Sequence, residues 1–349
     1  MSGDLEAALG LFERLLPELR PSLARRLSAL EAIALFGPVG RRALAERLGL
    51  TERVLRAEIE ALERQGLVVV GARGVVASPD GLTLLEAFEP LVDAFSALRT
   101  LARTVERLLG LKRVVVVPGD VARQPDDLAA VARAAAIALE RAMKEARVIA
   151  VAGGTTMAAV AEVFRPRRKH PEVTFVPARG GLGEHIDIQA DTIAARLADR
   201  AGGRFVRLGV PDQLSPETIR AMLEEADVRR RLDEVRRAEV VFHGIGDAKT
   251  MSLRRRADAA LRAELERRGA VSEAFGAYYD GDGRLVAQMP TIGLSIEELR
   301  AKRCVAVAAG RPKAAAIISL AKTGLFQELI TDQGAAEAIR DGLAPLPSD

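Results

Sequence analysis

Aromatic side chains make up only 3% of the 349 residues, and tryptophan is absent. That argues against stacking on aromatic platforms as a main mode of ligand or single-strand binding. The single cysteine, Cys304, allows no intrachain disulfide and no Cys-rich zinc centre. Three histidines, His170, His185 and His243, are too scattered for a His-based metal site. No run of about 18 apolar residues occurs, so no helix is expected to span a membrane. The opening segment MSGDLEAALG is acidic and lacks the basic-then-apolar layout of a secretory signal. The expectation is a cytoplasmic protein with no metal, no cofactor and no membrane partner. A net charge of +3 is too small to mark nucleic acid as a partner by itself.

What the chain does have is apolar residues, at 49%, and length enough for two domains, one of them large. Its charge is uneven. Residues 20–79 hold ten Arg against six Glu, whereas residues 80–110 lean acidic. A basic module is expected near the N-terminus.

The pattern in that module is helical. Leu23, Leu27, Leu30 and Ala34 make one apolar face, ended by Gly37-Pro38. Arg41 to Leu48 reads as a second helix, with Ala43, Leu44 and Leu48 inward and Gly49 as a left-handed cap. Thr51 is placed to cap a third helix whose buried stripe is Leu55, Ile59 and Leu62. LVVVGARGVVAS then reads as a hairpin turning at Gly71-Ala72-Arg73-Gly74. Helix, helix, tight turn, helix and hairpin is the order of a winged helix-turn-helix, expected over residues 1–80.

Glu52, Arg53, Arg56, Glu60 and Arg64 fall away from the apolar stripe of the third helix. An exposed Arg at the start of such a helix can donate twice to guanine. Arg73 at the hairpin tip can reach a phosphate or the minor groove. The expected contacts with double-stranded operator DNA are Arg41, Thr51, Glu52, Arg53, Arg56 and Arg73. Glu58, Glu60 and Glu63 count against contact by the later part of the helix. The alternative is a small helical domain with solvated charges.

Residues 81–111 read as a helical connector. After Pro90, the positions Leu91, Phe95, Leu98, Ala102, Val105 and Leu109 alternate spacings of four and three, the signature of an a/d seam. It is under three heptads, so it suits either a partial dimer seam or a helix packed on its own domain. A homo-oligomer, dimer or tetramer, is the expected state.

From residue 112 to 349 the chain alternates strand-like apolar runs with helical patterns. The runs are Val114–Val117, Val148–Ala152, Val173–Val176, Phe205–Leu208, Val240–Phe242, Cys304–Ala308 and Glu328–Thr331. Unbroken apolar runs suit strands covered on both faces, and intervening helices imply a mostly parallel α/β sheet. YYDGDGRLVA reads as an added hairpin.

The chemistry is expected where strands end. Gly153-Gly154 followed by Thr155-Thr156 opens a helix, an anion cradle of backbone N–H groups and hydroxyls. It matches neither the phosphate loop of nucleotide hydrolases nor the dinucleotide fingerprint. Gly310 turns the chain before Lys313, a point charge for a phosphate. Gly244 and Gly246 precede Arg254 to Arg256, and Arg179 precedes Gly180-Gly181. In a parallel sheet these four loops share one edge, where ligands bind. Each alone is an ordinary turn, but together they favour a small phosphorylated ligand. Gln189 and Glu273 are candidates for sugar hydroxyls, or else solvated surface residues.

No catalytic set stands out. His243 at a strand end reads as a base or, better, a partly buried structural histidine. Cys304 reads as core. Asp247 and Asp332 are loop carboxylates with no evident partner. The chain is read as a ligand-governed DNA-binding protein. A sugar-phosphate isomerase or deaminase with an appended DNA-binding domain, and a DNA-binding protein whose large domain serves only assembly, are the alternatives.

The segments LGLTERVLRAEIEALERQGLV, AGGTTMAAVA, ARGGLGEHIDIQADTIAARLA, GIGDAKTMSLRR, VSEAFGAYYD and AAGRPKAAAI, in this order, resemble the SorC-type sugar-responsive transcriptional regulators. The resemblance implies a winged helix-turn-helix joined to a Rossmann-like effector domain, similar to the sugar-phosphate isomerase and deaminase fold. It also implies repression of a glycolytic operon, relieved by a sugar bisphosphate such as fructose 1,6-bisphosphate. By matching positions, it carries an effector site onto Gly154, Thr155, Thr156, Arg179, Gln189, Arg254, Glu273 and Lys313. Two positions depart from the family pattern. Ala309 stands where a glycine is expected, and MSLRRR lets Arg254 and Arg255 exchange roles.

Overall fold

The computed structural model describes residues 19–92, 97–181, 185–211 and 214–343. It divides into two compact units, residues 1–103 and 104–349. None of its described helices is long and apolar enough to cross a membrane.

The first unit opens with α1 (Leu19–Phe36), which stops at Gly37-Pro38. α2 (Arg41–Leu48) ends on Gly49 in the left-handed conformation. α3 (Glu52–Arg64) starts at Thr51, whose hydroxyl accepts a hydrogen bond from the Val54 N–H at 3.3 Å. Leu55, Ile59 and Leu62 bury one side of α3 against Leu27, Leu30, Ile33 and Leu44 in the core of the unit. β1 (Val68–Gly71) and β2 (Gly74–Ala77) pair antiparallel, with Ala72 and Arg73 as the turn. A two-way backbone bridge between Val39 and Val75 fixes this hairpin to the α1–α2 link.

The described residues of the connector are helical as far as Leu109. α4 (Pro79–Val92) contains Pro90, and α5 (Ala97–Leu109) follows. The division between the units falls inside α5. Of the six seam positions, Ala102 and Val105 are buried and Leu98 and Leu109 half-buried within this chain. Phe95 lies outside the described residues.

The second unit is built on seven parallel strands in the order β3-β13-β12-β7-β4-β5-β6. They are β3 (Arg113–Val117), β4 (Val148–Val151), β5 (Thr174–Pro177), β6 (Arg204–Phe205), β7 (Val240–Gly244), β12 (Arg303–Val307) and β13 (Glu328–Asp332). All seven expected runs carry a strand, though of the fourth, Phe205–Leu208, only Phe205 lies in one, the two-residue β6. The central runs are apolar throughout because both faces are covered: Ile149, Ala150, Val241, Phe242, Val305 and Ala306 are all buried. Among the covering helices are α6 (Leu128–Glu145), α7 (Thr155–Val163), α8 (Ala190–Ala201) and α10 (Ala226–Arg236), with the exposed α9 (Pro216–Glu224) packed on α10.

A second, antiparallel sheet of order β11-β10-β9-β8 comes from β8 (Gly246–Asp247), β9 (Ala270–Ala274), β10 (Ala277–Asp280) and β11 (Leu285–Gln288). The expected hairpin is its β10–β11 half. α11 (Ala248–Arg254) and α12 (Ala259–Arg267) cover it around Tyr278, Ala248, Leu265 and Val286. α13 (Ile296–Arg300), α14 (Ala314–Ala321) and α15 (Gln333–Leu343) complete the chain.

The strand order marks where a ligand crevice is expected. From β4 the chain steps outward to β5 and β6, then returns to β7 on the other side of β4 and steps outward to β12 and β13. The order therefore reverses between β4 and β7, and ligands of open α/β sheets bind beyond the carboxyl ends of the strands at such a reversal.

Candidate functional site

The four glycine-containing loops follow β12, β7, β4 and β5, four strands adjacent in the sheet. They sit side by side on one edge, centred on the reversal. The loop after β4 is fixed from below. A Cβ on Gly153 would lie 2.7 Å from the Ile188 carbonyl oxygen, and Gly154 N–H donates to that same oxygen at 2.8 Å. Gly153 is thus a packing residue beneath the cradle. Gly154 has φ +117° and ψ 162°, a conformation only glycine adopts comfortably, and its Cβ direction faces open space. No side chain caps α7, so its first N–H groups point into the crevice beside the exposed Thr155.

Lys313 closes the other side. It lies in a 3-10 turn (Arg311–Lys313) between β12 and α14, and its Nζ donates to the Ile245 carbonyl at 3.1 Å, tying the β12 and β7 loops together. Burial pushes its pKa below the lysine range; the charges of Asp247 and Glu273 oppose this, and that of Arg254 adds to it. Lys313, Arg254, Asp247 and Glu273 thus share one electrostatic neighbourhood.

Glu273, on β9, is buried rather than solvated. Its Oε1 accepts from Arg255 Nη2 at 2.8 Å and from the Gly276 N–H at 2.7 Å, and lies 3.7 Å from Arg179 Nη1. Arg255 and Arg179 are equally buried. The ambiguity in MSLRRR resolves in space. Arg254 is exposed, while Arg255 lies inward on Glu273. Gln189 is the N-cap residue of α8, and its amide lies over Gly181, where a Cβ would sit 3.0 Å from Oε1. Gly183, in the same glycine loop, is outside the described residues.

Two carboxylates expected to lack partners have structural ones. Asp247 caps α11, accepting from the Thr250 N–H at 2.8 Å. Asp332, at the end of β13, is fully buried and accepts from Val121, Gly310 and Ala335 N–H at 2.7, 2.8 and 2.9 Å. It anchors the lysine loop, although burial raises its pKa. Its bond to Ala335, three residues on, is the Asp-capping pattern that could have flagged it in the sequence.

The chemistry available is anion binding. His243 is completely buried, donates from Nδ1 to the Gly244 carbonyl at 2.9 Å, and packs on Phe275 and Phe326. Burial holds its pKa at about 4, so it stays neutral. Burial pushes the Cys304 thiol up to about 12. Both groups are buried and stay in their neutral forms near neutral pH. Among the described residues no cluster of His, Cys, Asp and Glu could hold a metal.

In the first unit, Arg41, Thr51, Glu52, Arg53, Arg56 and Arg73 are all exposed. Glu58 does not oppose DNA as expected. It is buried, and its carboxylate takes Arg25 Nε at 3.2 Å and Arg26 Nε at 2.9 Å. It faces α1, not the outer side of α3.

The sugar-binding domain family model matches residues 93–340, and that of the CggR N-terminal DNA-binding domain matches residues 23–92. The central glycolytic genes regulator of Priestia megaterium is 42% identical over 94% of this chain and 97% of its own. That of Bacillus subtilis is 37% identical over 94% and 96%. A crystal structure described as a SorC family regulator from Enterococcus faecalis is 35% identical and superposes with a TM-score of 0.63, covering 69% of this chain and 99% of its own. The chain belongs to the SorC family of sugar-binding transcriptional regulators. In this family setting the first unit is a DNA-binding domain, the second a sugar-binding domain, and the protein is a regulator rather than an enzyme. The full-length sorbitol operon regulator SorC of Klebsiella pneumoniae, 18% identical with a TM-score of 0.63, shares the fold over 86% of this chain and 93% of its own.

Proposed function

We propose that the protein represses glycolytic genes and that a sugar bisphosphate, such as fructose 1,6-bisphosphate, binds the four-loop crevice and alters operator binding. The glycolytic target follows the names of the two full-length relatives. The effector class follows one observation above all: Lys313 bridges the β12 and β7 loops opposite an uncapped helix N-terminus at the sheet reversal. A bisphosphate carries about three to four negative charges at neutral pH, because each group's second pKa is near 6. One helix terminus offers only about half a positive charge, so side-chain cations must supply the rest. Lys313 and Arg254 are the cations at the crevice, and Arg179 and Arg255 lie behind them on Glu273.

On this reading one phosphate rests on Gly154, Thr155 and Thr156, the other end reaches Lys313 and Arg254, and Gln189 takes a sugar hydroxyl. Glu273 orients Arg179 and Arg255 instead of meeting the sugar. The first unit reads operator DNA as a winged helix, with Arg53 and Arg56 toward base edges and Arg41 and Arg73 toward phosphates, working in the cytoplasm as at least a dimer on two half-sites. A melting scan against glycolytic phosphates, followed by operator binding with each hit, tests the proposal. A bisphosphate should raise the melting temperature and change operator affinity; stabilisation by none of them contradicts it.

A further inference from the structure

At the opposite edge of the parallel sheet the protein carries a second concentration of positive charge. α7 ends at Val163, and the segment RPRRK follows before β5 begins at Thr174. Arg165, Arg167, Arg168 and Lys169, with Arg200 from the last turn of α8, surround a cavity of about 430 Å³. Asp199 is the one acidic residue in its lining. α7 and α8 both begin at the sugar-phosphate loops, at Thr155 and Ala190, and end here. A nine-residue helix is about 13 Å long, so the two sites are separate.

Three of the five cations are held by neutral main-chain oxygens. Arg200 Nη1 donates to the Ala161 carbonyl and, at 2.5 Å, to that of Glu162, covering the carbonyl end of α7. Arg165 Nη1 donates to Glu162 and Phe164 carbonyls at 2.9 and 2.8 Å. Lys169 Nζ donates to the Arg200 carbonyl at 3.0 Å. Such bonds fix position without cancelling a full charge. The nearest carboxylate to Arg200 is Glu162, at 3.6 Å. Arg168 makes no hydrogen bond or ion pair among the described residues. The crowding registers on Arg200, whose pKa is lowered first by burial and next by the charge of Arg165. Like charges held this closely repel, and an anion between them would relieve the cost.

The shape narrows the occupant. The volume lies in the range of small-molecule sites, about 300–1,000 Å³. Pro166 is the only apolar residue in the lining and no aromatic is present, so nothing is built to hold a base or sugar ring. We propose that this cavity is a second anion site, for a small molecule carrying two or more linked phosphates. Recognition rests on the phosphates alone: Arg168 and Arg167 meet the outer oxygens, and Lys169, Arg165 and Arg200 form a preset floor.

Inorganic tripolyphosphate is the probe, titrated calorimetrically into the full chain at about 0.15 M salt, where a loose surface attraction is screened. With the sugar-phosphate crevice disabled by Lys313→Met, the proposal expects one equivalent bound per chain. Affinity should fall at least tenfold in the double variant Arg168→Ala/Lys169→Ala and also in Arg167→Ala/Arg168→Ala, which leaves the Lys169 bond intact. The loss should appear in the Lys313→Met background as well, because that change alters only the sugar-phosphate crevice. Melting temperatures within a few degrees of the parent confirm that the variants fold. No binding, equal binding in folded double variants, or binding lost in Lys313→Met would overturn the proposal. So would a short non-operator duplex that needs the RPRRK segment while tripolyphosphate does not bind, because the surface would then be a DNA contact.

Discussion

Lys313→Met keeps the aliphatic stem of the residue and removes its charge. In the effector-free protein this deletes a cation already disfavoured by burial, but leaves the Ile245 carbonyl without its donor. The two effects oppose each other, so the variant should fold with little change in melting temperature. In the complex nothing offsets the loss. A hydrogen bond to a charged group contributes about 1.5–3 kcal/mol, which is about 13- to 150-fold in affinity for the bisphosphate. Thr155→Ala removes a neutral hydroxyl while the backbone N–H remains. At about 0.5–1.5 kcal/mol it should cost about 2- to 13-fold. The pH profile separates charge from shape. A phosphate placed beside Lys313 raises its lowered pKa, so binding takes up a proton, and affinity falls as pH rises through the free-state value. That value lies below the ordinary lysine range because burial lowers it. The acid limb belongs to the ligand, whose second phosphate pKa is near 6. Lys313→Met should lose the alkaline limb and keep the acid one. Calorimetry across pH reads both quantities. Affinity within twofold of the parent in folded Lys313→Met, or an alkaline limb that persists, would refute the assignment.

Arg53→Ala should weaken operator binding by about 1–3 kcal/mol while bisphosphate affinity stays the same, as read by fluorescence anisotropy and calorimetry. Glu58→Gln leaves Arg25 and Arg26 facing a neutral amide and should destabilise the DNA-binding unit by about 1–3 kcal/mol, visible as an earlier melting transition in the full chain. His243 is held neutral in the folded state down to about pH 4, whereas the unfolded chain protonates near 6.5. Its folded pKa is depressed, so its contribution to stability is complete above about pH 6.5 and is lost as pH falls toward 4, by about 3 kcal/mol over the window. Denaturant unfolding at a series of pH values should show that slope, and His243→Gln should flatten it.

The spacing of Leu55, Ile59 and Leu62, the cap at Thr51 and the seven apolar runs were legible because each is a local signal. The glycine loops were legible because strand-then-glycine-then-helix fixes where a loop lies in a parallel sheet. Partners far apart in sequence were not. Glu58 looked like a surface charge because its arginines lie 33 and 32 residues earlier, on another helix. Glu273 and Arg255 meet only because β9 and the end of α11 pack together. Asp332 reads as a loop residue until Val121, 211 residues away, is brought to its carboxylate. The connector was drawn as one seam because the four-three spacing runs without interruption from Leu91 to Leu109.

The central claim is that one ligand in the four-loop crevice governs DNA binding by the other unit. It is tested most directly by titrating fructose 1,6-bisphosphate into a preformed operator complex of the parent and of Lys313→Met, followed by anisotropy. The account predicts a saturable change in operator affinity for the parent and none for Lys313→Met at the same concentrations, with both proteins binding operator equally in the absence of sugar. An identical response from both proteins would contradict it.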